Sequence, residues 1–412
     1  MLSHIELMRF LAQLAVMLAT GICLGQLARK VGLPAVLGEL VGGIFLGPTL
    51  FGTLFPDLHH LLFHGQTTAI AREAFLKLGL ILFLFVTGTE LNLLHMRQRR
   101  RPILLTSLCG ILLPFVVGVS AVVWFPTLWG VTSTHFWFMA FFVGTALSIS
   151  ALPVIAKTLM DLNLLRSPLG GIVLASATID DILGWILFAT LLGYMVPMQH
   201  HSFLVTFLGV VGLFGFFLTL GRRIGKAALQ WLENKLDRDV GFIGVSVVLA
   251  LVFAVIAEYI GLHAFFGAFL VGIALSPGGD TRPRALEMVY QFVMSFFAPL
   301  YFVSVGLKAN FLLHFDWKMV LVVVIIACFS KIIGAGFGAW MGKLPPREAI
   351  AVGIAMNARG VMEILLASIA LDYHLIDERL FVALVVMALV TSMISGPIIQ
   401  RLIQPSTKSV TS

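Results

Sequence analysis

The chain has 412 residues, of which 59% are apolar and only 11% charged, and its mean hydropathy is strongly positive. That balance excludes both an ordinary soluble domain and a disordered one. The formal charge of +7 does not point to nucleic acid, because Lys and Arg fall in short clusters between apolar runs, as in loops facing a cytoplasm. The fold class this predicts is an all-α polytopic membrane protein.

Apolar runs of about twenty residues, the length that crosses a bilayer, predict about thirteen spans. In chain order they cover 7–28, 33–54, 74–94, 102–125, 136–159, 168–196, 202–221, 240–259, 262–277, 286–306, 318–341, 347–371 and 379–402. The first lacks the basic start and cleavage site of a signal peptide and is read as span 1. Cys23, Cys109 and Cys328 lie in apolar runs without metal-ligand spacing and read as small buried hydrophobes. His59, His60 and His64 fall in the long connection after span 2 and read as a solvated loop. "SPGGD", ending at Asp280, reads as a turn, and Lys77, near the start of span 3, as a snorkelling lysine.

Loops after odd-numbered spans hold Arg29, Lys30, Arg97, Arg99, Arg100, Arg101, Lys157, Arg166, Arg222, Arg223, Lys226, Lys235, Arg238, Arg282, Arg284, Lys343, Arg347, Arg401 and Lys408. Loops after even-numbered spans hold only Arg72, Lys308, Lys318 and Arg379. This asymmetry predicts the N-terminus outside and the C-terminus inside.

An internal repeat accompanies the spans. "GLPAVLGELVGGIFLGP" (32–48) and "GLHAFFGAFLVGIALSP" (261–277) align without gaps and match at eight of seventeen positions. They lie in spans 2 and 9, an odd number of crossings apart, so equivalent helices run in opposite directions. Weaker echoes keep the same order: "FVTGTELN" against "FVSVGLKAN", and "GTALSISA" from Gly144 against "GIAMNARG" from Gly353. The expectation is two inverted six-helix repeats, spans 1–6 and 8–13, joined by span 7, as in secondary transporters.

Matching interruptions in such repeats point to the functional centre, since unwound backbone in a membrane must line a cavity or be buried in protein. Span 5 carries Ser148, Ser150 and Pro153 in "TALSISALPVIAK", and its mate, span 12, carries Asn357, Arg359 and Gly360 in "GIAMNARGVMEIL". Broken helices there bring half-helix ends, with their dipoles and free carbonyls, to the bilayer centre.

Between these segments in the chain lies "SATIDDILGW", with Asp180 and Asp181 adjacent in span 6. An intramembrane carboxylate costs about 2.5–3.5 kcal/mol on insertion scales, so two in succession argue for function. Consecutive helical residues point about 100° apart, so one can face a neighbouring helix while the other faces a cavity. Lys331, near the middle of span 11, is the natural counter-charge. Arg359 and Glu363 stand four apart in span 12 and can pair on one helix face, a geometry that a helix break changes. Glu39, Glu90 and Glu258, embedded or near span ends, read as structural or interfacial rather than ion-binding.

A buried carboxylate that accepts either a proton or a dehydrated cation couples two opposed flows by competition. A cation channel is the competing class, but inverted repeats favour alternating access over a fixed pore. An intramembrane aspartyl protease needs facing aspartates from two helices, a geometry that adjacent residues cannot supply. The protein is therefore read as no enzyme.

In their order along the chain, "LPAVLGELVGGIFLGP", "FLFVTGTELNL", "TALSISALPVIAKTL", "ATIDDILGW", "FVSVGLKAN" and "ARGVMEILL" resemble the second monovalent cation:proton antiporter family over nearly the whole sequence. The resemblance implies a thirteen-helix homodimer, with a dimerisation domain, a core domain in which two broken helices cross, and elevator-like transport. On that basis residues 1–101 and 240–310 form the dimerisation domain, and 102–196 and 311–402 the core. Residues 197–239 link the halves, and 403–412 form a short cytoplasmic tail.

By the same resemblance Asp181 is the ion- and proton-binding carboxylate, Asp180 its neighbour paired with Lys331, and Ser148 and Ser150 flank the break. The expected partners are sodium or potassium ions, protons and membrane lipids, with no cofactor and no nucleic acid, and the expected location is a bacterial inner membrane. Glutathione-regulated potassium efflux members carry Gln before the Asp and a C-terminal nucleotide-binding domain. The Asp-Asp pair and the short tail predict no such regulatory domain here.

Overall fold

The computed structural model describes residues 3–31, 33–90, 100–130, 136–162, 164, 167–195, 203–221, 223–224, 240–259, 264–276, 284–308 and 310–403. Every regular element among them is helical. Seven described helices are long and apolar enough to cross a membrane. Arg97, Arg99, Arg166, Arg222, Lys226, Lys235, Arg238, Arg282 and Lys408 lie outside the described residues, as do the turn 277–280 and the tail 404–412.

The helices divide between two units, Met1–Leu94 with Ala189–Asn310, and His95–Phe188 with Phe311–Ser412. The first unit holds α1 (His4–Lys30), α2 (Ala35–Leu46), α3 (Phe51–Leu54), α4 (Pro56–Phe63) and α5 (Gln66–Glu90). The second holds α6 (Arg100–Trp124), α7 (Phe136–Ser148) and α8 (Leu152–Asp161), and the division falls inside α9 (Pro168–Met195). The first unit continues with α10 (Phe203–Phe216), α11 (Val240–Tyr259), α12 (Ala264–Leu275), α13 (Arg284–Phe292) and α14 (Ala298–Gly306). The second is completed by α15 (Trp317–Met341), α16 (Pro346–Met356), α17 (Val361–Asp372) and α18 (Glu378–Ile403).

In the first unit α1 packs on α2, α2 on α14, and α5 on α12. All three contacts bring glycine against partner backbone, and two of them form a matched pair. A Cβ on Gly43 would meet the Val303 carbonyl and the Gly306 Cα, and one on Gly272 would meet the Phe85 carbonyl and the Gly88 Cα. The contacts correspond position for position, because Gly43 aligns with Gly272 in the repeat and each carbonyl lies three residues before the partner glycine. Without a hydrophobic drive between helices in lipid, such close approach maximises dispersion contacts. Gly43→Leu is expected to destabilise the protein by about 1–3 kcal/mol, read as a lower unfolding temperature in detergent; unchanged unfolding would show that α2 and α14 can separate freely.

The connection read as a solvated loop is largely helical. Pro56 sits in the first turn of α4, where its missing N–H is no loss, and α5 begins at Gln66, eight residues before the expected start of span 3. The buried Gln13 of α1 fastens this segment: its Nε2 donates to the Leu62 carbonyl at 2.6 Å, and its Oε1 accepts from Arg72 at 3.0 Å. The Arg72 guanidinium also lies 5.8 Å from the centre of the Phe63 ring. With α5 starting early, Lys77 lies well inside it and pairs with Glu73 at 2.7 Å. The cysteines are less buried than expected: Cys23 is exposed, Cys109 and Cys328 are half-buried, and all three are free thiols.

In the second unit α6 packs along α15 and α7, and α15 contacts α16 and α18. Span 5 breaks at residues 149–151 between α7 and α8, and span 12 breaks at 357–360 between α16 and α17. The Ala151 N–H donates to the Ala358 carbonyl at 3.0 Å, so the two breaks touch.

Candidate functional site

The site grows out of this crossing. At the end of α7 the carbonyls of Ala146, Leu147 and Ser148 lack intrahelical partners, and they carry the negative end of the half-helix dipole. Two buried cations take them. Arg359, from the opposite break, donates Nη1 to Ala146 at 2.9 Å and Nη2 to Leu147 at 2.5 Å, and the Lys331 Nζ of α15 donates to the Ser148 carbonyl. At the start of α17 the Glu363 carboxylate accepts from the Gly360 N–H at 2.9 Å, which places a negative charge at a positive helix end. Its other oxygen is 3.9 Å from Arg359 Nη1. Arg359 thus stands in the break, and its short hydrogen bonds go to the end of α7 rather than along one helix face to Glu363.

Asp180 is fully buried on α9 and faces three donors. Its Oδ2 lies 2.7 Å from Lys331 Nζ and 3.1 Å from the Ser150 hydroxyl, and its Oδ1 accepts from the Ser107 hydroxyl at 2.7 Å. Ser150 has one hydroxyl proton and a second acceptor, the Met356 carbonyl at 2.8 Å, so at any instant it serves either the carboxylate or the opposite break. Ser148 turns its hydroxyl back to the Gly144 carbonyl at 2.6 Å, leaving its own carbonyl for Lys331.

Asp181 is 2% exposed and points elsewhere. It lines a narrow cavity whose other walls are Ile149, Trp185, Met362 and Leu366. Met362 belongs to the first turn of α17, so the positive end of a half-helix dipole borders this carboxyl group. Among the lining side chains it is the single ionisable one.

The structure therefore brings Asp180, Ser148, Ser150, Lys331, Arg359 and Glu363 into one hydrogen-bonded cluster with Asp181 beside it. Asn357 closes α16 and donates to Cys328 Sγ at 3.4 Å. Glu39 and Glu258 belong to the first unit. Glu39 is buried in α2 against Gly25 of α1, whereas Glu258 is exposed and accepts from the Ala264 N–H at 2.8 Å. The side chain of Glu90 lies outside the described residues. Ser107 was not singled out by the sequence, because a serine in an apolar span usually bonds to its own helix and nothing local marks it as a carboxylate ligand.

Two broken helices crossing at buried charges, in an apolar helical chain, define a membrane ion transporter. The chain belongs to the sodium/hydrogen exchanger family of cation:proton antiporters, integral membrane proteins: the family model described as "Sodium/hydrogen exchanger, transmembrane" matches residues 15–404. It is 31% identical over 406 residues to the Na(+)/H(+) antiporter NhaS4 of Synechocystis, covering 96% of this chain and 97% of that one. It is 32% identical to the Cation/H(+) antiporter 18 of Arabidopsis thaliana and 30% identical to the K(+)/H(+) antiporter 1 of Saccharomyces cerevisiae. Those two matches cover 96% and 89% of this chain but only 49% and 43% of the relatives, so the chain spans about half their length. The fold is similar to that of the sodium proton antiporter MjNhaP1 from Methanocaldococcus jannaschii, with a TM-score of 0.69 at 16% identity, covering 96% and 98% of the two chains.

Proposed function

We propose that this protein exchanges a monovalent cation, sodium or potassium, for protons by elevator-type alternating access, with Asp181 as the site for which cation and proton compete. The observation that carries this reading is the division of labour between neighbours: Asp180 is held by Lys331 and two hydroxyls, while Asp181 lies in a cavity of its own. Competition for one carboxylate couples the two flows without another energy source. Ser150, with its shared proton, is the link through which the Asp180–Lys331 pair senses the opposite break.

On this reading the chain makes thirteen crossings in two inverted six-helix repeats, with its N-terminus outside and C-terminus inside. The matched glycine contacts, Gly43 with Gly306 and Gly272 with Gly88, support such a repeat, since a two-fold axis in the membrane plane exchanges them. The unit containing α1 to α5 serves as the dimerisation domain of a homodimer, the unit with the crossing as the transport core, and the setting is a bacterial inner membrane. The relatives named for Na(+)/H(+) and for K(+)/H(+) exchange leave both cations as candidates.

The test is transport in proteoliposomes containing a pH-sensitive dye, with sodium, potassium and lithium added separately. Cation addition is expected to move protons in the opposite direction. A cation current without proton movement would instead identify a channel. An imposed voltage in the same vesicles separates one-for-one exchange, which it leaves unchanged, from exchange of two protons per cation, which it accelerates.

A further inference from the structure

In the second unit, one wall of the Asp181 cavity comes from the break that follows α7. Ile149 is the first residue of the break that follows α7, and it is 5% exposed. Its side chain lies against α9 at Gly184, where a Cβ would fall 2.6 Å from Cγ1 and 2.9 Å from Cδ1. Gly184 is three residues beyond Asp181, on the same helix face. Ile149 therefore occupies a recess that exists only because residue 184 has no side chain, and from there it forms one wall of the Asp181 cavity. Trp185 and the pair Met362 and Leu366, four apart on α17, complete an apolar collar.

We infer that Ile149 is the gating residue of the exchange site and Gly184 its seat: with Ile149 seated, Asp181 is closed to water and ions, and cation or proton reaches it only when Ile149 leaves the recess. Ile149 suits this task because it lies in the break, outside both half-helices. No intrahelical ladder holds its dihedrals, so a modest rotation in the break lifts the side chain while α7 and α8 stay intact. The collar also fixes what the gate admits. Its walls are aliphatic or thioether side chains apart from the Trp185 indole and the carboxylate, so a monovalent ion sheds water as it enters.

The inference rests on Asp181 as the exchange site, but its test reads access rather than transport. The purified protein in liposomes is treated with dicyclohexylcarbodiimide, and the rate of modification at Asp181 is followed by fragmentation mass spectrometry. A closed gate leaves the open form at about 10% or less, so Ile149→Ala is expected to raise the rate by at least about tenfold. Gly184→Ala fills the seat and is expected to raise it as well. The double variant is expected to match Ile149→Ala alone, because the added methyl then has nothing to displace.

An unchanged rate in Ile149→Ala overturns the gate. Equal, additive effects of Gly184→Ala with and without Ile149 overturn the seat. If Gly184→Ala does not fold, Ile149→Ala decides alone. Loss of the transport reading, by contrast, would show as exchange that survives removal of the Asp181 carboxylate, whatever the labelling rate.

Discussion

Asp181→Asn is expected to reduce cation-driven proton movement to the level of empty liposomes while the protein folds and stays stable. Asparagine keeps the shape of the side chain but holds no exchangeable proton and no charge, so neither competitor retains its site. The structure also separates this effect from damage to the fold. Asp181 lines a cavity, and the salt bridge and hydroxyl bonds that organise the crossing go to Asp180 instead. Removing a buried charge from an apolar collar also removes a desolvation cost, so the unfolding temperature in detergent should hold or rise. Exchange that continued at its normal rate in this variant would move the site elsewhere.

The opposite pattern is expected at Lys331. Lys331→Met leaves Asp180 fully buried with only two hydroxyls, and leaves the Ser148 carbonyl at the end of α7 without its cation. Breaking one side of a buried pair costs about 3–5 kcal/mol, enough to unfold many membrane proteins on purification. The double variant Asp180→Asn with Lys331→Met replaces both charges by neutral side chains of similar size and should recover most of that loss. Thermal unfolding of the two single variants and the double gives the coupling energy directly. A Lys331→Met protein as stable as the parent would mean that the 2.7 Å contact does not hold the crossing together.

Much of this was legible in the sequence, for reasons that differ from element to element. Span boundaries followed from the length of apolar runs, and α9 and α15 agree with expectation to within a residue or so. The break positions were marked by polar residues and glycine in matching places, because a membrane leaves few reasons for Ser148, Ser150, Asn357 and Arg359 to lie in mid-span. The segment between Phe51 and Gln66 reads as a loop because of its histidines and proline, yet it is largely helical. Its helix is fastened by Gln13 of α1, 49 residues from its partner Leu62.

Ser107 stayed hidden for a related reason. Its partner Asp180 is 73 residues away, and the choice between bonding to its own helix and to a carboxylate is made by packing of α6 against α9. Arg359 was marked as a candidate but its task was not, because capping α7 requires knowing that the breaks cross. Gly184 gave no signal at all: it is one glycine among 39, and its meaning lies in the isoleucine that fills the space beside it.

The buried charges around the crossing have an electrostatic consequence. Among the described residues, Lys331 and Arg359 are basic there, and Asp180, Glu363 and Asp181 acidic. Two positive charges thus stand against three carboxylates, a formal excess of one negative charge among these five residues. On the proposed mechanism, a core with Asp181 vacant carries a net charge into low dielectric, whereas one loaded with a single proton or a single monovalent cation is neutral. A vacant return is thus penalised by the membrane itself, which suppresses slip, and a divalent ion overshoots neutrality and meets the same penalty with opposite sign. Valence selection and obligatory exchange then come from one charge imbalance.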